Sequence, residues 1–137
     1  MNYLIDTQVL LWFLSGDPRL PEEVIRFMES EENQGYLSDA SLWEISIKYS
    51  LGKLKLAEPF DDLLIERIRG NGFQLLALTR GHLFGVARLP FHHRDPFDRL
   101  LVAVGRAEKL AFLTLDPAFR KYDLEFVSIG EKEPKRD

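Results

Sequence analysis

Apolar positions in this chain come in two rhythms. Short, nearly continuous runs at Asn2–Ile5, Tyr36–Ser38, Phe73–Leu78, Ala111–Thr114 and Glu125–Ile129 read as strands buried on both faces. Between them, large apolar residues recur every three or four positions, the spacing of one helix face. This predicts helices over Thr7–Ser15, Pro21–Glu31, Asp39–Leu51, Phe60–Arg69, Arg80–Ala87 and from Asp95 to about Lys109, with a helical turn over Pro117–Tyr122. Gly16-Asp17-Pro18, Gly52 and Gly70-Asn71-Gly72 punctuate the pattern as turns, and Arg88–Arg94 reads as a loop. Residues 1–130 are expected to form one domain, followed by a charged tail over 131–137 that should fray.

Strands separated by helices require crossover connections, hence an α/β fold whose mostly parallel sheet is covered by helices on both faces. In such sheets ligands gather outside the carboxyl ends of the strands, where strand order reverses. Four acids sit where the pattern directs them to that edge. Asp6 ends the first strand, and Asp116 follows the run Ala111–Leu115. Asp98 lies in the first turn of the helix that leads into that run, and Glu44 interrupts the apolar pattern Leu42-Trp43-Glu44-Ile45.

Each acid has a structural explanation as well. Asp6 can cap the helix beginning at Thr7, Asp116 the turn beginning at Pro117, and Asp95 is the best cap in the chain, with Asp98 as a first-turn acid. Glu44 is hardest to explain this way, because its helix face is mostly apolar. A carboxylate beside a core must be solvated, hydrogen-bonded or matched to a cation. With no Lys equally well placed to neutralise the four, the pattern implies a shared divalent metal.

Composition narrows the chemistry. The net charge of −4 does not advertise nucleic-acid binding, although an acidic metal site contributes to that charge itself. The absence of cysteine excludes disulfides, thiolate nucleophiles and Cys-ligated zinc, and suits a reducing cytosol. No signal peptide and no membrane span is legible, so the chain is expected to be soluble and cytoplasmic. His92 and His93 are adjacent and His82 stands apart, without HExxH spacing, which argues against zinc. The basic stretch Arg88–Arg94, with Arg99 beyond it, is either a solvated loop or a phosphate contact beside the metal, with Phe91 available to stack on a base. Trp12, Phe13 and Phe27 exceed what one core face needs, and either pack internally or line a groove or dimer contact.

Taken as a set, Met1–Thr7, Ser38–Ile45, His93–Arg99 and Leu113–Pro117 resemble the motifs of PIN-domain ribonucleases, and within them the VapC toxins of toxin–antitoxin pairs. The resemblance extends to about Ile129. It implies a three-layer α/β/α fold with a parallel sheet and a Mg²⁺- or Mn²⁺-dependent acidic site that cuts RNA. By motif position Asp6, Glu44, Asp98 and Asp116 match the family's acidic quartet, and Thr114 the hydroxyl residue before its last acid. The resemblance also implies a cognate antitoxin and a homodimer. Hard oxygen ligands suit Mg²⁺ and Mn²⁺. Competing readings are a non-catalytic binding module of the same fold and a DNA or flap nuclease. A haloacid-dehalogenase-like phosphatase would need a second Asp where Gln8 stands.

Overall fold

The strand residues alternate between two cores. Tyr3, Ile5, Leu37, Ala111 and Leu113 bury their side chains in one, while Leu4 and Phe112 enter the other, as the period of two requires. The computed structural model describes residues 1–56, 61–92 and 95–129. Its sheet has four strands, β1 (Asn2–Ile5), β2 (Gln34–Ser38), β3 (Gln74–Leu76) and β4 (Ala111–Leu113), in the order β3-β2-β1-β4. All three pairings are parallel.

Parallel neighbours cannot be joined by a tight turn, so each return runs through helices. These are α1 (Thr7–Ser15) and α2 (Glu22–Glu29) after β1, α3 (Asp39–Ser50) and α4 (Asp62–Gly70) after β2, and α5 (Arg80–Ala87) and α6 (Pro96–Glu108) after β3. Val9, Leu10 and Leu14 of α1, Val24 and Met28 of α2, and Leu64 and Ile68 of α4 cover the first sheet face. Leu100, Leu101, Val102 and Val104 of α6 cover the second, with Phe119 and Tyr122 from the 3-10 turn Pro117–Lys121 that follows β4. The result is the three-layer α/β/α arrangement implied by the chain's pattern.

The departures have local causes. β3 stops at Leu76 rather than Leu78 because its partner β2 ends at Ser38, which is opposite Leu76. The expected strand Glu125–Ile129 is reduced to one parallel bridge, Phe112 to Phe126, held by the Phe112 N–H to the Glu125 carbonyl and the Val127 N–H to the Phe112 carbonyl. Pro21 takes the N-cap of α2 instead of its first helical position. Trp12, Phe13 and Phe27 are partly buried against the first core, Phe27 beside the Tyr3 ring and Phe13 edge-on to Phe73. The expected tail at 131–137 and the expected helix start at Phe60 lie outside the described residues.

Candidate active site

Strand order reverses between β1 and β4, since the chain leaves β1 towards β2 and β3 and returns on the other side. The carboxyl ends of these two strands are therefore neighbours, and the Asp6 N–H donates to the Leu113 carbonyl at 3.0 Å. Asp6 occupies the N-cap position of α1, yet its carboxylate makes no capping hydrogen bond. It accepts instead from the Thr114 hydroxyl at 2.8 Å, in a buried contact. The same hydroxyl accepts the Asp116 N–H at 3.1 Å, so Thr114 ties the end of β4 to the acid at the end of β1.

The remaining acids are brought in by helix starts. Ser38 caps α3 by accepting from the Ala40 N–H, and Glu44 follows in the second turn, 6% exposed. A buried hydrogen bond of 2.8 Å from Thr7 to Ser41 pins α1 to α3, which holds Asp6 and Glu44 on a common side. Asp95 caps α6 through the N–H groups of Phe97 and Asp98. The Trp43 and Phe97 rings meet edge-on at 4.7 Å, so the residues next to Glu44 and Asp98 pack on one another. Asp116 is exposed and caps the 3-10 turn by accepting from the Ala118 N–H at 2.9 Å.

Asp6, Glu44, Asp98 and Asp116 all line one cavity of about 310 Å³, together with Asp95 and Lys48. Crowding like charges in a partly dry site disfavours ionisation. Burial pushes the Asp6 carboxyl up to about 6, against the Thr114 hydrogen bond, with Glu44 and Asp116 adding to the rise. Burial, then Asp95, Asp6, Glu44 and Asp116 in turn, push Asp98 up to about 7. Acids perturbed by both desolvation and specific neighbours inside a cleft mark a functional site.

Lys48 corrects the expectation that no cation serves these acids. Its ammonium lies 2.6 Å from Glu44 Oε2, and that hydrogen bond holds its pKa above the ordinary value. The signal was an i, i+4 Glu–Lys spacing on one helix face. The sequence also assigned Asp95 to capping alone, whereas it caps α6 and lines the cavity together.

The donor set suits a hard divalent cation, because it is all carboxylate oxygen and, among the described lining residues, five acids face one lysine. Among the described residues, no three His, Cys, Asp or Glu side chains are gathered closely enough to hold a metal as they stand. Of the expected substrate-binding residues, Phe91 is 73% exposed and Arg99 is buried beneath it, with its guanidinium 4.5 Å from the ring centre. Arg99 donates to the carbonyls of Val86 and Pro90, and neither residue lines the acidic cavity. Arg94 lies outside the described residues. His82 is committed elsewhere, 2.7 Å from Glu108.

Comparison with known proteins agrees with this fold. Residues 3–125 match the model of the PIN domain. A 69-residue stretch is 35% identical to ribonuclease VapC16 of Mycobacterium tuberculosis, covering 47% of this chain and 49% of that protein. The chain thus spans about half the length of the curated relative it matches. Its fold is similar to VapBC2 of Rickettsia felis bound to a promoter DNA fragment, with a TM-score of 0.71 at 17% identity over 94% of this chain and 99% of that one. It is also similar to FitAcB of Neisseria gonorrhoeae, with a TM-score of 0.64 at 20% identity over 93% and 97%. With a parallel sheet, acids gathered at its switch point and a family match over nearly the whole length, the chain belongs to the PIN domain family.

Proposed function

We propose that this protein is a Mg²⁺- or Mn²⁺-dependent endoribonuclease, the toxin of a toxin–antitoxin pair. The observation that carries this reading is the cavity at the carboxyl ends of β1 and β4, into which four separate segments deliver carboxylates, with burial first and neighbouring acids after it raising the proton affinity of Asp6 and Asp98. Membership of the PIN family and the likeness to a protein named a ribonuclease support it.

Asp6 and Asp98 would hold the metal directly, with Glu44 and Asp116 doing so directly or through water. When bound, such a metal activates water, orients it in line with a phosphodiester and stabilises the leaving oxygen. The chain's own residues set the stage for this. Thr114 fixes the rotation of the Asp6 carboxylate by donating to Oδ2. Asp95 holds the first turn of α6, and so Asp98, through its two capping bonds. Lys48 supplies a counter-charge at Glu44 Oε2. Phe91, with Arg99 beneath its ring, presents an exposed aromatic face for a base, and Arg94 is assigned to phosphate contact with it. A cognate antitoxin and a homodimer belong to the same reading, as does the cytoplasm, where an RNA substrate is found. Among the described residues no helix is long and apolar enough to cross a membrane.

A second reading, a non-catalytic binding module, is favoured by two observations: Lys48 already occupies Glu44, and among the described residues no three ligating side chains are closed around a point. One experiment separates the two. Purified protein is incubated with single-stranded RNA and Mn²⁺, with single-stranded DNA as competitor, beside the variants Asp6→Asn and Asp98→Asn. Cleavage is expected to need the metal, to prefer RNA and to fall at least about 100-fold in each variant. Undiminished cleavage by both variants rules out the mechanism, and metal-independent RNA binding without cleavage favours the module.

A further inference from the structure

Beside the acidic cavity lies a larger one of about 680 Å³, and the two share Gln8, Leu11, Trp12 and Lys48 along their border. Among the described residues its cationic lining is Arg19, Lys48, Lys53, Lys55 and Arg67, against one acid, Asp17. That acid is already taken by Arg19, at 2.7 Å. Among the described residues neither Lys53 nor Lys55 has an anionic partner. The floor is apolar, formed by leucines from α1 and from the segment after α3.

At another border, the acidic cavity meets a third one through Leu115 and Asp116, and there a single cation, Arg120, is present among the described lining residues. The site's surroundings are therefore electrostatically lopsided. A strand cut at the acids that passes over either border meets more cations at the first, and its phosphates favour that one. Cations for the backbone beside apolar surface for bases is the chemistry of a single-stranded nucleic-acid track.

We propose that this basic groove is the track for the RNA on one side of the scissile phosphate, with Lys53 and Lys55 as phosphate contacts and Lys48 at the threshold between track and acidic site. This rests on the nuclease reading and specifies where its substrate lies. The groove is basic where the catalytic cavity is acidic, so the substrate's charge is met next to the reacting centre rather than at it.

The test uses the full chain. Binding of a fluorescein-labelled single-stranded RNA is followed by anisotropy against salt in an Asp98→Asn background, and steady-state cleavage is followed in the native background. Lys53→Glu, Lys55→Glu and the double variant Lys53→Glu/Lys55→Glu are compared with Arg120→Glu, which matches each single variant in the size of its charge reversal. Thermal melting and the Mn²⁺ midpoint of each variant establish that the fold and the metal site persist.

The double variant is expected to bind RNA at least about tenfold more weakly, with the salt dependence flatter by about 1.4, two contacts at about 0.7 each on a single strand. Its KM should rise with kcat retained, while Arg120→Glu changes binding less than about twofold. Equal affinity and salt slope in the double variant overturn the track, as does an equal loss in Arg120→Glu. The track is likewise overturned if RNA binding is unmoved while an acidic, leucine-containing peptide loses its binding. A native protein that neither binds nor cleaves RNA overturns the nuclease reading itself. Native cleavage that the groove variants leave intact overturns the track alone.

Discussion

The corner around His82 and the acids at the switch point both put ionisable side chains into the interior, and they are resolved in opposite ways. On α5, the His82 ring is almost completely buried and both of its nitrogens are used. Nδ1 accepts the Thr79 N–H, so Nε2 carries the proton and donates to Glu108 Oε1 at 2.7 Å. The Thr79 hydroxyl returns the favour by accepting the His82 N–H, which completes a capping box. At the switch point, by contrast, Asp6 and Asp98 sit among other acids, and burial and mutual repulsion raise their proton affinity. One corner satisfies every polar atom and locks α5 to the end of α6. The other leaves charge unbalanced. Interiors that serve only stability are built like the first, and strain of the second kind is found where function requires it.

The difference can be broken from either side. Replacing His82 with Ala removes the ring and half of the capping box, and should destabilise the fold by about 3 kcal/mol in chemical denaturation. Asp98→Asn should act the other way in metal-free protein. Relief of its repulsion, discounted for its partial exposure, should stabilise by about 1–2 kcal/mol. Added Mn²⁺ should raise the melting temperature of the native chain and much less that of the variant. An Asp98→Asn protein that melts below the native chain in EDTA would falsify the idea that the cleft is held under charge strain.

The pH dependence sharpens the contrast. Asp6 and Asp98 titrate at about 6 and about 7 in the folded protein, above the ordinary 3.8. The folded chain then holds protons that the unfolded chain has already released, so its stability declines as pH rises from about 4 to about 7 and levels off above. Melting curves of metal-free protein across that window should show this decline, and it should shrink in Asp6→Asn/Asp98→Asn. The smallest effect belongs to Thr114→Val. Losing one hydrogen bond should destabilise by about 1 kcal/mol and move the pH midpoint upward, because the bond to Thr114 lowers the Asp6 value. An unchanged midpoint would show that Thr114 does not tune this acid.

Much of the fold could be read before any coordinates, because a strand buried on both faces and a helix with one apolar stripe leave different periods in the chain. The β1 and β4 runs were found this way, and so were the acids that follow them. Strand ends were less legible. Leu78 and Glu125–Ile129 look like strand by composition, but whether they pair depends on how far the neighbouring strand extends. Within the site, Asp95 reads as a cap from its place before Pro96, and nothing local reveals that the same carboxylate also faces the cavity. Arg99 reads as part of a basic stretch, but packing of α6 against α5 turns its guanidinium to two carbonyls and an aromatic ring.

The chain by itself thus determined which segments become strands and helices, and which acids stand at their ends, since both follow from side-chain period and capping chemistry over a few residues. Only the tertiary structure decided that Thr114 bridges the ends of β1 and β4, and that a basic groove opens next to the acidic cavity. Those relations join residues through the packing of separate elements, and the charge one side chain feels from another depends on distance and burial that local sequence does not encode.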